Sequence, residues 1–228
     1  IKNRSNHNHG ILLKTEIFGP DNKLAAEEVN RVTVYGNTDT YVKQRITIRK
    51  PALWSCETPD LYRCELRILE AGEETDTEIL NFGIRKLNLD AENGLRINGK
   101  EVKLRGACIH HDNGIIGACT LPRAEERRCR LLKEAGFNCI RSSHHPLSKA
   151  MLDACDRLGM LVMDELSDMW EHPKNINDYA MFFPDCWEQD VERMIDKDFN
   201  HPCVIMYSTG NEIQEVGTPG GAELNRRI

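Results

Sequence analysis

The residues with the clearest chemical content are Asn211 and Glu212, which stand at the far end of an apolar run within residues 200–212. Residues 204–206 have the composition of a buried strand, and Gly210 lets the backbone turn sharply after it. A carboxylate displayed at the end of a strand is a candidate general acid or base, and the amide beside it is a candidate hydrogen-bonding group for a substrate. Because the dipeptide alone has no specificity, the surrounding elements must decide whether it is functional.

Three earlier apolar runs also end in polar side chains. Their ends read His110-His111-Asp112, Arg141-Ser142-Ser143-His144-His145 and Asp164-Glu165. A single histidine at such a place is more often structural than catalytic. Four polar strand ends in succession are the arrangement expected when all of them face one pocket, as at the carboxyl ends of the strands in a parallel β/α barrel.

The second part of the chain alternates strand-like runs with amphipathic helical stretches. The predicted strands cover residues 102–109, 138–142, 161–164 and 204–208, and the predicted helices include residues 131–135, 147–158 and 187–199. Pro122, Pro146 and Pro184 stand where first helical turns should begin, a position that suits a residue with no amide hydrogen. Four successive β-α units predict a parallel sheet.

The first part of the chain has a period of two instead. Residues 11–18 predict a strand, and apolar side chains alternate with polar ones in residues 31–34, 45–49 and 62–68. Short alternating runs separated by polar turns are typical of an antiparallel sandwich with one solvated face. The change of period predicts an all-β domain over residues 1–87 and an α/β domain over residues 88–228. We interpret the first domain as a scaffold rather than a binding site.

Several of these segments resemble glycoside hydrolase family 2, which contains β-galactosidases, β-glucuronidases and β-mannosidases. Residues 105–112, 137–146 and 200–212 match its barrel motifs, and residues 53–62, 82–85 and 97–100 match its sandwich and the connection to the barrel. The resemblance is specific because several spaced motifs occur in the family's order. It implies an immunoglobulin-like β-sandwich followed by the first four β/α units of a TIM barrel.

The resemblance also implies a mechanism, the retaining hydrolysis of a β-glycoside. Glu212 is the implied acid/base, with its proton held to near neutral pH by desolvation or by a neighbouring charge. Asn211 is implied to bind the sugar 2-hydroxyl, and His110, Arg141 and His144 are implied to line the sugar pocket. A retaining enzyme needs a second carboxyl group about 5–5.5 Å from the first. Since the family's nucleophilic Glu lies on a later barrel strand, we expect this chain to be an inactive fragment of an enzyme.

Two residues have alternative interpretations at this stage. Arg141 either lines the pocket or forms an ion pair inside the barrel with Asp164 or Glu165. Trp170 is interpreted as a sugar-stacking platform at the pocket rim, with packing in the core as its alternative. Trp187 is expected in the core beneath a helix.

The expected substrate is a β-galactoside, with β-glucuronides and β-mannosides as alternatives within the family. Two hypotheses come from other classes: a non-catalytic carbohydrate-binding or interaction fragment, and a metal-dependent barrel hydrolase that uses the histidine pairs. The second is disfavoured because neighbouring residues of a strand, such as His110 and His111, point to opposite faces and do not reach one ion.

No cofactor is predicted, although the resemblance raises the question of Mg²⁺. Galactosidases of the family often hold this ion through the acid/base Glu together with a Glu and a His in the loop after the third strand. Here that loop, residues 165–172, departs from the Glu-x-His spacing and has Met169 at the place of the first ligand. Asp168 is the residue able to substitute as a hard oxygen ligand.

Composition excludes several kinds of partner. The net charge of −6 disfavours nucleic acid, and no apolar run approaches the roughly 18 residues of a membrane span. The nine cysteines lack C-x-x-C spacing and many, including Cys108, fall inside predicted strands or helices. We interpret them as small buried side chains in a protein of a reducing compartment, the cytoplasm. We also expect the open edges of the half barrel to be covered by self-association into a homo-oligomer.

Overall fold

The computed structural model describes residues 1–228, and the chain divides into two compact units. The first consists of Ile1–Leu53 and Asp60–Ile84, and the second of Trp54–Pro59 and Arg85–Ile228. The short segment 54–59 therefore belongs to the second unit, although residues of the first flank it in sequence. None of the helices combines the length and the apolar character that a membrane span requires.

The first unit is built on a four-stranded antiparallel sheet. The unit as a whole contains six strands: β1 (Lys2–Asn3), β2 (His9–Phe18), β3 (Leu24–Val34), β4 (Thr38–Asp39), β5 (Tyr62–Glu70) and β6 (Glu73–Phe82). The sheet has the order β3-β2-β5-β6, and β1 pairs separately with β4. Because β2 is paired along both of its sides, it is a central strand and supplies much of the buried face.

Alternate side chains of the central strand form the core of this unit. Ile11, Leu13 and Ile17 of β2 are buried, as the period of two in a strand requires. Ile17 packs with Tyr62 and Cys64 of β5. These contacts confirm the strands predicted from the apolar alternation at residues 11–18 and 62–68.

Two parts of the first unit differ from the prediction. The alternating residues 45–49 form no strand, and Ile46 and Ile48 instead pack by their side chains against the cluster around Ile17. Packing of alternate side chains needs only an extended chain, so the alternation does not require a ladder of hydrogen bonds. Conversely, β6 has no counterpart among the predicted strands, because its first seven residues are exposed and show no apolar alternation.

The second unit contains a small antiparallel sheet and a parallel sheet with helices between its strands. Its strands are β7 (Leu87–Asp90), β8 (Gly94–Ile97), β9 (Lys100–Glu101), β10 (Gly106–His110), β11 (Cys139–Ser143), β12 (Leu161–Glu165) and β13 (Val204–Ser208). Its α-helices are α1 (Pro122–Glu134), α2 (Lys149–Leu158), α3 (Phe183–Asp198) and α4 (Pro219–Arg227), and short 3-10 helices cover Gly114–Ile116, Tyr179–Met181 and Gln214–Gly217. The parallel order β10-β11-β12-β13 confirms the four predicted β-α units.

The first parallel strand begins four residues later than predicted. The Val102 amide donates to the Leu95 carbonyl in the preceding hairpin. The Asn138 side chain then holds the next turn of chain, donating to the Lys103 carbonyl and accepting from the Arg105 amide. These hydrogen bonds replace a ladder over residues 102–105, which is why β10 starts only at Gly106.

Helix starts agree with the proline pattern in two cases out of three. Pro122 and Pro184 lie in the first turns of α1 and α3. Pro146 lies outside α2, because Ser148 is the N-cap of that helix and its hydroxyl accepts a hydrogen bond from the Met151 amide. A serine cap satisfies a free amide at the helix start that a proline further upstream cannot.

All nine cysteines are free thiols. Those that are buried are Cys56, Cys64, Cys129, Cys139, Cys155 and Cys203. Cys108 is exposed, contrary to the prediction, because successive side chains of β10 point to opposite faces of the sheet and Cys108 lies on the face away from the buried Ile109.

Candidate active site

Glu165, the last residue of β12, is the centre of a polar cluster at the carboxyl ends of the parallel strands. Its side chain is 0% exposed. One oxygen, Oε2, accepts hydrogen bonds from Nε and Nη2 of Arg141, at 3.0 and 2.6 Å, and from the Ser208 hydroxyl at 2.6 Å. The other, Oε1, lies 2.6 Å from Nδ1 of His144, which assigns the ring hydrogen to that nitrogen. A single carboxylate on β12 thus joins side chains from its two neighbouring strands, β11 and β13, and from the loop after β11.

Arg141 is held mainly as an ion-pair partner. Its hydrogen bonds to Glu165 raise the pKa of the guanidinium above its ordinary value. The same Nη2 also donates to Oδ1 of Asn211 at 3.1 Å. Of the two interpretations of Arg141, the ion pair with Glu165 is therefore formed, and the guanidinium connects that buried carboxylate to the residue beside Glu212.

Each polar group of Asn211, in the side chain and in the backbone, forms a hydrogen bond. Its side-chain oxygen accepts from Arg141, and its Nδ2 donates to Oδ1 of Asp168 at 2.8 Å. Its backbone amide donates to the Ser167 carbonyl at 3.0 Å, and its carbonyl accepts from Nζ of Lys174 at 2.8 Å. Because Nδ2 carries two hydrogens, one remains for a ligand while the orientation of the amide is fixed.

His110, at the end of β10, reaches the same cluster through an aromatic contact. Its ring meets that of His144 edge to face, with the centroids 5.3 Å apart and the planes at 89°. The predicted residues His110, His144, Arg141 and Asn211 therefore form one chain of contacts through Glu165. Their convergence follows from the parallel sheet, whereas their roles in substrate binding stay predictions.

Glu212 follows Asn211 directly and is exposed. Its carboxylate forms no hydrogen bond or ion pair, so the desolvated setting expected for an acid/base is not formed by these residues. Its φ is 48°, in the left-handed region, which only a few per cent of non-glycine residues adopt. Such conformations persist where the surroundings enforce them and cluster at functional sites. The fixed Asn211 supplies that enforcement on one side.

The turn before Glu212 depends on Gly210 and Trp170. A Cβ atom on Gly210 would lie 3.0 Å from Nε1 of Trp170 and 2.7 Å from the end of the Ile213 side chain. Nε1 of Trp170 donates to the Thr209 carbonyl at 2.9 Å. The backbone of the turn therefore lies directly on the tryptophan, and glycine is needed for that close approach.

The prediction that Trp170 is a sugar-stacking platform is wrong. The residue is 1% exposed and packs against Phe183, with ring centroids 6.3 Å apart. It belongs to a cluster of buried residues with Leu166, Trp187 and Met194, which also confirms the core position of Trp187. Because the Trp170 ring is almost fully buried, it has no free face on which a sugar could stack. Its role is to support the turn after β13.

The loop after β12 does not fit Mg²⁺. Met169 is buried, and Nδ1 of His172 pairs with Glu215 at 3.0 Å rather than with Asp168. Oδ1 of Asp168 already accepts from Nζ of Lys174 and from Nδ2 of Asn211, both at 2.8 Å. Burial alone would raise the pKa of Asp168, but these two hydrogen bonds lower it below its ordinary value. A lysine ammonium thus pairs with the carboxylate that was expected to substitute as a hard oxygen ligand.

The four histidines at the ends of β10 and β11 separate into two pairs. His110 contacts His144, whereas His111 stacks on His145 with centroids 4.0 Å apart. Burial lowers the pKa of His111 to about 4, helped by the nearby positive charges of His145 and Arg128. Rings stacked nearly in parallel do not aim their nitrogens at a common point, so this geometry gives no support to the metal-dependent alternative.

Models of two protein domains match the chain along most of its length. The one described as "Glycosyl hydrolases family 2" matches residues 1–85, and the one described as "Glycosyl hydrolases family 2, TIM barrel domain" matches residues 90–223. The chain belongs to glycosyl hydrolase family 2. The family 2 matches confirm the predicted fold class, a sandwich domain followed by part of a TIM barrel.

Relatives with two of the three predicted specificities are similar to the chain. A β-galactosidase of Bacteroides ovatus is 38% identical over 215 residues, which are 94% of this chain and 25% of that protein. A β-glucuronidase of Bacteroides fragilis is 29% identical over 199 residues, which are 86% of this chain and 28% of that protein. The chain therefore spans little more than a quarter of the length of these relatives.

Solved structures of family 2 enzymes have the same fold over nearly the whole chain. A family 2 glycosyl hydrolase of Bacteroides cellulosilyticus matches with a TM-score of 0.92 and 43% identity, over 97% of this chain and 29% of that one. A β-glucuronidase of Bacteroides uniformis matches with a TM-score of 0.83 and 30% identity, over 99% of this chain and 27% of that one.

Two contributors to the family 2 site were not found from the sequence. Ser208 is the last residue of β13, so its place at the strand end was a usable signal for its bond to Glu165. Lys174 lies in a loop without periodicity and is 37 residues from Asn211 in sequence. Only the three-dimensional structure brings its ammonium to that carbonyl.

Proposed function

We propose that this chain carries the acid/base part of a retaining β-glycosidase active site. The observation that carries the proposal is the presentation of Glu212 after β13, beside an Asn211 whose amide is fixed by Arg141 and Asp168. Glu212 donates its proton to the glycosidic oxygen as the bond to the anomeric carbon breaks. As a carboxylate it then removes a proton from the water that attacks the glycosyl-enzyme.

The remaining residues bind or position the sugar in this proposal. The free hydrogen of Nδ2 on Asn211 donates to the oxygen of the sugar 2-hydroxyl, a contact that strengthens in the transition state. His144 holds its Nδ1 against Glu165, which leaves Nε2 for a sugar hydroxyl, and His110 lines the pocket beside it. Arg141 acts as a positioning residue, because its guanidinium is engaged by Glu165 and Asn211.

The nucleophile is proposed to belong to a longer polypeptide that contains these residues. A TIM barrel closes with eight β/α units in about 250 residues, and four such units are present here. The short coverage of the family 2 relatives supports the same inference. Within that polypeptide, the edge strands β10 and β13 would pair with the remaining barrel strands.

A β-galactoside is the proposed substrate, with a β-glucuronide as the second candidate, because relatives named for both activities are similar to the chain. In the longer enzyme we expect kcat/KM for p-nitrophenyl β-galactoside to exceed that for the β-glucuronide at least about tenfold, since a site built to hydrogen-bond one substrate hydroxyl rejects analogues that lack it. Equal aglycones make the sugar the only variable. A reversed ratio would establish the second candidate, and activity on α-galactosides alone would contradict both.

Assayed by itself, the 228-residue chain is expected to hydrolyse no glycoside at this site. One carboxylate can protonate a leaving group, but the covalent intermediate requires a second one on the other side of the anomeric carbon. The unpaired edges of β10 and β13 should also drive self-association, because exposed sheet edges recruit further strands. Size-exclusion chromatography with light scattering beside an aryl β-galactoside assay checks both expectations. A monomer whose turnover is abolished by Glu212→Gln would contradict them.

A further inference from the structure

Lys174 lies in the loop between β12 and α3, and its ammonium is enclosed by the site. The side chain is 19% exposed. Nζ donates to Oδ1 of Asp168 and to the carbonyl oxygen of Asn211, each at 2.8 Å. Because Oδ1 of Asp168 also accepts from Nδ2 of Asn211, the three residues form a closed ring of hydrogen bonds. This ring is called the lysine clamp below.

The lysine clamp acts on the peptide group that leads into Glu212. The carbonyl that Lys174 binds belongs to the peptide between Asn211 and Glu212, so the hydrogen bond fixes the plane of that peptide. On the other side of the same residue, the Asn211 amide is held by the Ser167 carbonyl. Because the backbone groups on both sides of Asn211 are held, the peptide that precedes Glu212 is fixed. This fixed peptide supports the left-handed conformation of Glu212.

Charge explains why a lysine serves here. Asp168 is partly buried, with 35% of its side chain exposed, and its carboxylate gains from a counter-charge where water is partly excluded. The lysine ammonium supplies that charge together with three directed hydrogens, two of which are used in the clamp. A divalent cation would meet the same need, but the ammonium already occupies the position next to Oδ1.

We propose that Lys174 is a positioning residue for the acid/base Glu212, and that its ammonium takes the place of a divalent cation beside Asp168. The inference rests on the proposed role of Glu212. It explains how the Glu212 carboxyl is oriented and why no Mg²⁺ is needed beside Asp168. Neither point follows from the acid/base role of Glu212 alone.

The first test measures the leaving-group dependence of kcat/KM in the longer enzyme. Lys174→Met keeps the length of the side chain and removes its charge, and we expect a loss of about 10–100-fold on alkyl β-glycosides, the size that a misplaced reacting group causes. A dinitrophenolate leaves with little need of protonation, so kcat/KM for a dinitrophenyl glycoside should fall less than about threefold. Lys174→Arg should recover part of the activity, and Lys149→Met, which alters an exposed lysine on α2, should have no effect.

Equal losses of Lys174→Met on both substrates would overturn the positioning role. If that variant does not fold, Asp168→Asn replaces it, because this change removes the counter-ion of Lys174 at constant size. Glu212→Gln is measured in parallel. A loss in Glu212→Gln that does not depend on the leaving group defeats the proposed function. A steeper dependence than wild type in Glu212→Gln, together with a loss in Lys174→Met that does not depend on the leaving group, defeats only the present inference.

The second test uses the 228-residue chain and MgCl₂ in isothermal titration calorimetry. The expected result is no binding that depends on Asp168, so that wild type and Asp168→Asn give the same heats. In the longer enzyme, a chelator should leave kcat/KM unchanged. Binding of Mg²⁺ that Asp168→Asn abolishes, or loss of wild-type activity on chelation, would overturn the replacement of the ion by lysine.

Discussion

Glu212→Gln is expected to lower kcat/KM of the longer enzyme about 10²–10⁴-fold for substrates with poor leaving groups, the range over which general acid catalysis contributes. An alkyl or sugar leaving group must be protonated as the glycosidic bond breaks, and glutamine has no proton of suitable acidity to give. A dinitrophenolate leaves without protonation, so kcat/KM for that substrate should change little. The measurement is a plot of log kcat/KM against the pKa of the leaving group, which should be much steeper in the variant.

The matched control is Glu171→Gln, which changes another exposed glutamate in the same unit. It should leave the plot as in the wild type. Uniform losses in Glu212→Gln, independent of the leaving group, would assign the residue to binding or to folding rather than to proton transfer.

Glu165→Ala is expected to cost about 1–3 kcal/mol of unfolding free energy, the penalty for leaving buried donors without an acceptor, because Arg141 is 34% exposed and water partly replaces its lost partner. The change would leave Arg141, His144 and Ser208 without the acceptor that joins them. Since a domain has only about 5–15 kcal/mol in total, a loss of this size is a measurable share of the second unit's stability. Urea unfolding of the chain, followed by circular dichroism, measures the loss.

Glu126→Ala is the control for that experiment. Glu126 pairs with Arg157, and both side chains are about half exposed, so its removal should cost no more than about 1 kcal/mol. Glu165→Gln should lie between the two, because it keeps the shape of the side chain and loses its charge. Equal midpoints for Glu165→Ala and Glu126→Ala would show that the buried cluster does not support the sheet.

The periodicity of apolar residues was sufficient to predict the elements that bury a regular face. The strand at residues 204–208 and the helices α1, α2 and α3 appear where the pattern places them, because burial on one side imposes the period on the sequence. The helix α4 was not predicted. The strand β6 was not predicted, because its exposed residues have no apolar period. The strand predicted at residues 102–105 is absent for a different reason. The side chain of Asn138, at least 33 residues away in sequence, forms hydrogen bonds with backbone groups of this segment.

Some residues of the candidate site could be predicted from the sequence, and others could not. His110, Arg141, His144 and Asn211 were found because parallel strands place their carboxyl ends at one edge. Trp170 was misplaced because a tryptophan after a strand suits a pocket rim and a core equally well, and only its packing against Phe183 decides. The lysine clamp was out of reach, since nothing in a loop sequence shows where a long side chain ends.

The most direct test of the central claim is the identity of the product that the longer enzyme forms with Glu212→Ala, azide and an activated aryl β-galactoside. If Glu212 is the acid/base, a nucleophile elsewhere forms the covalent glycosyl-enzyme, and azide attacks that intermediate without needing a base. Proton NMR should then show the β-galactosyl azide, with turnover partly restored. The α-galactosyl azide would mean direct displacement at a site whose missing residue was the nucleophile, and it would contradict the role given to Glu212.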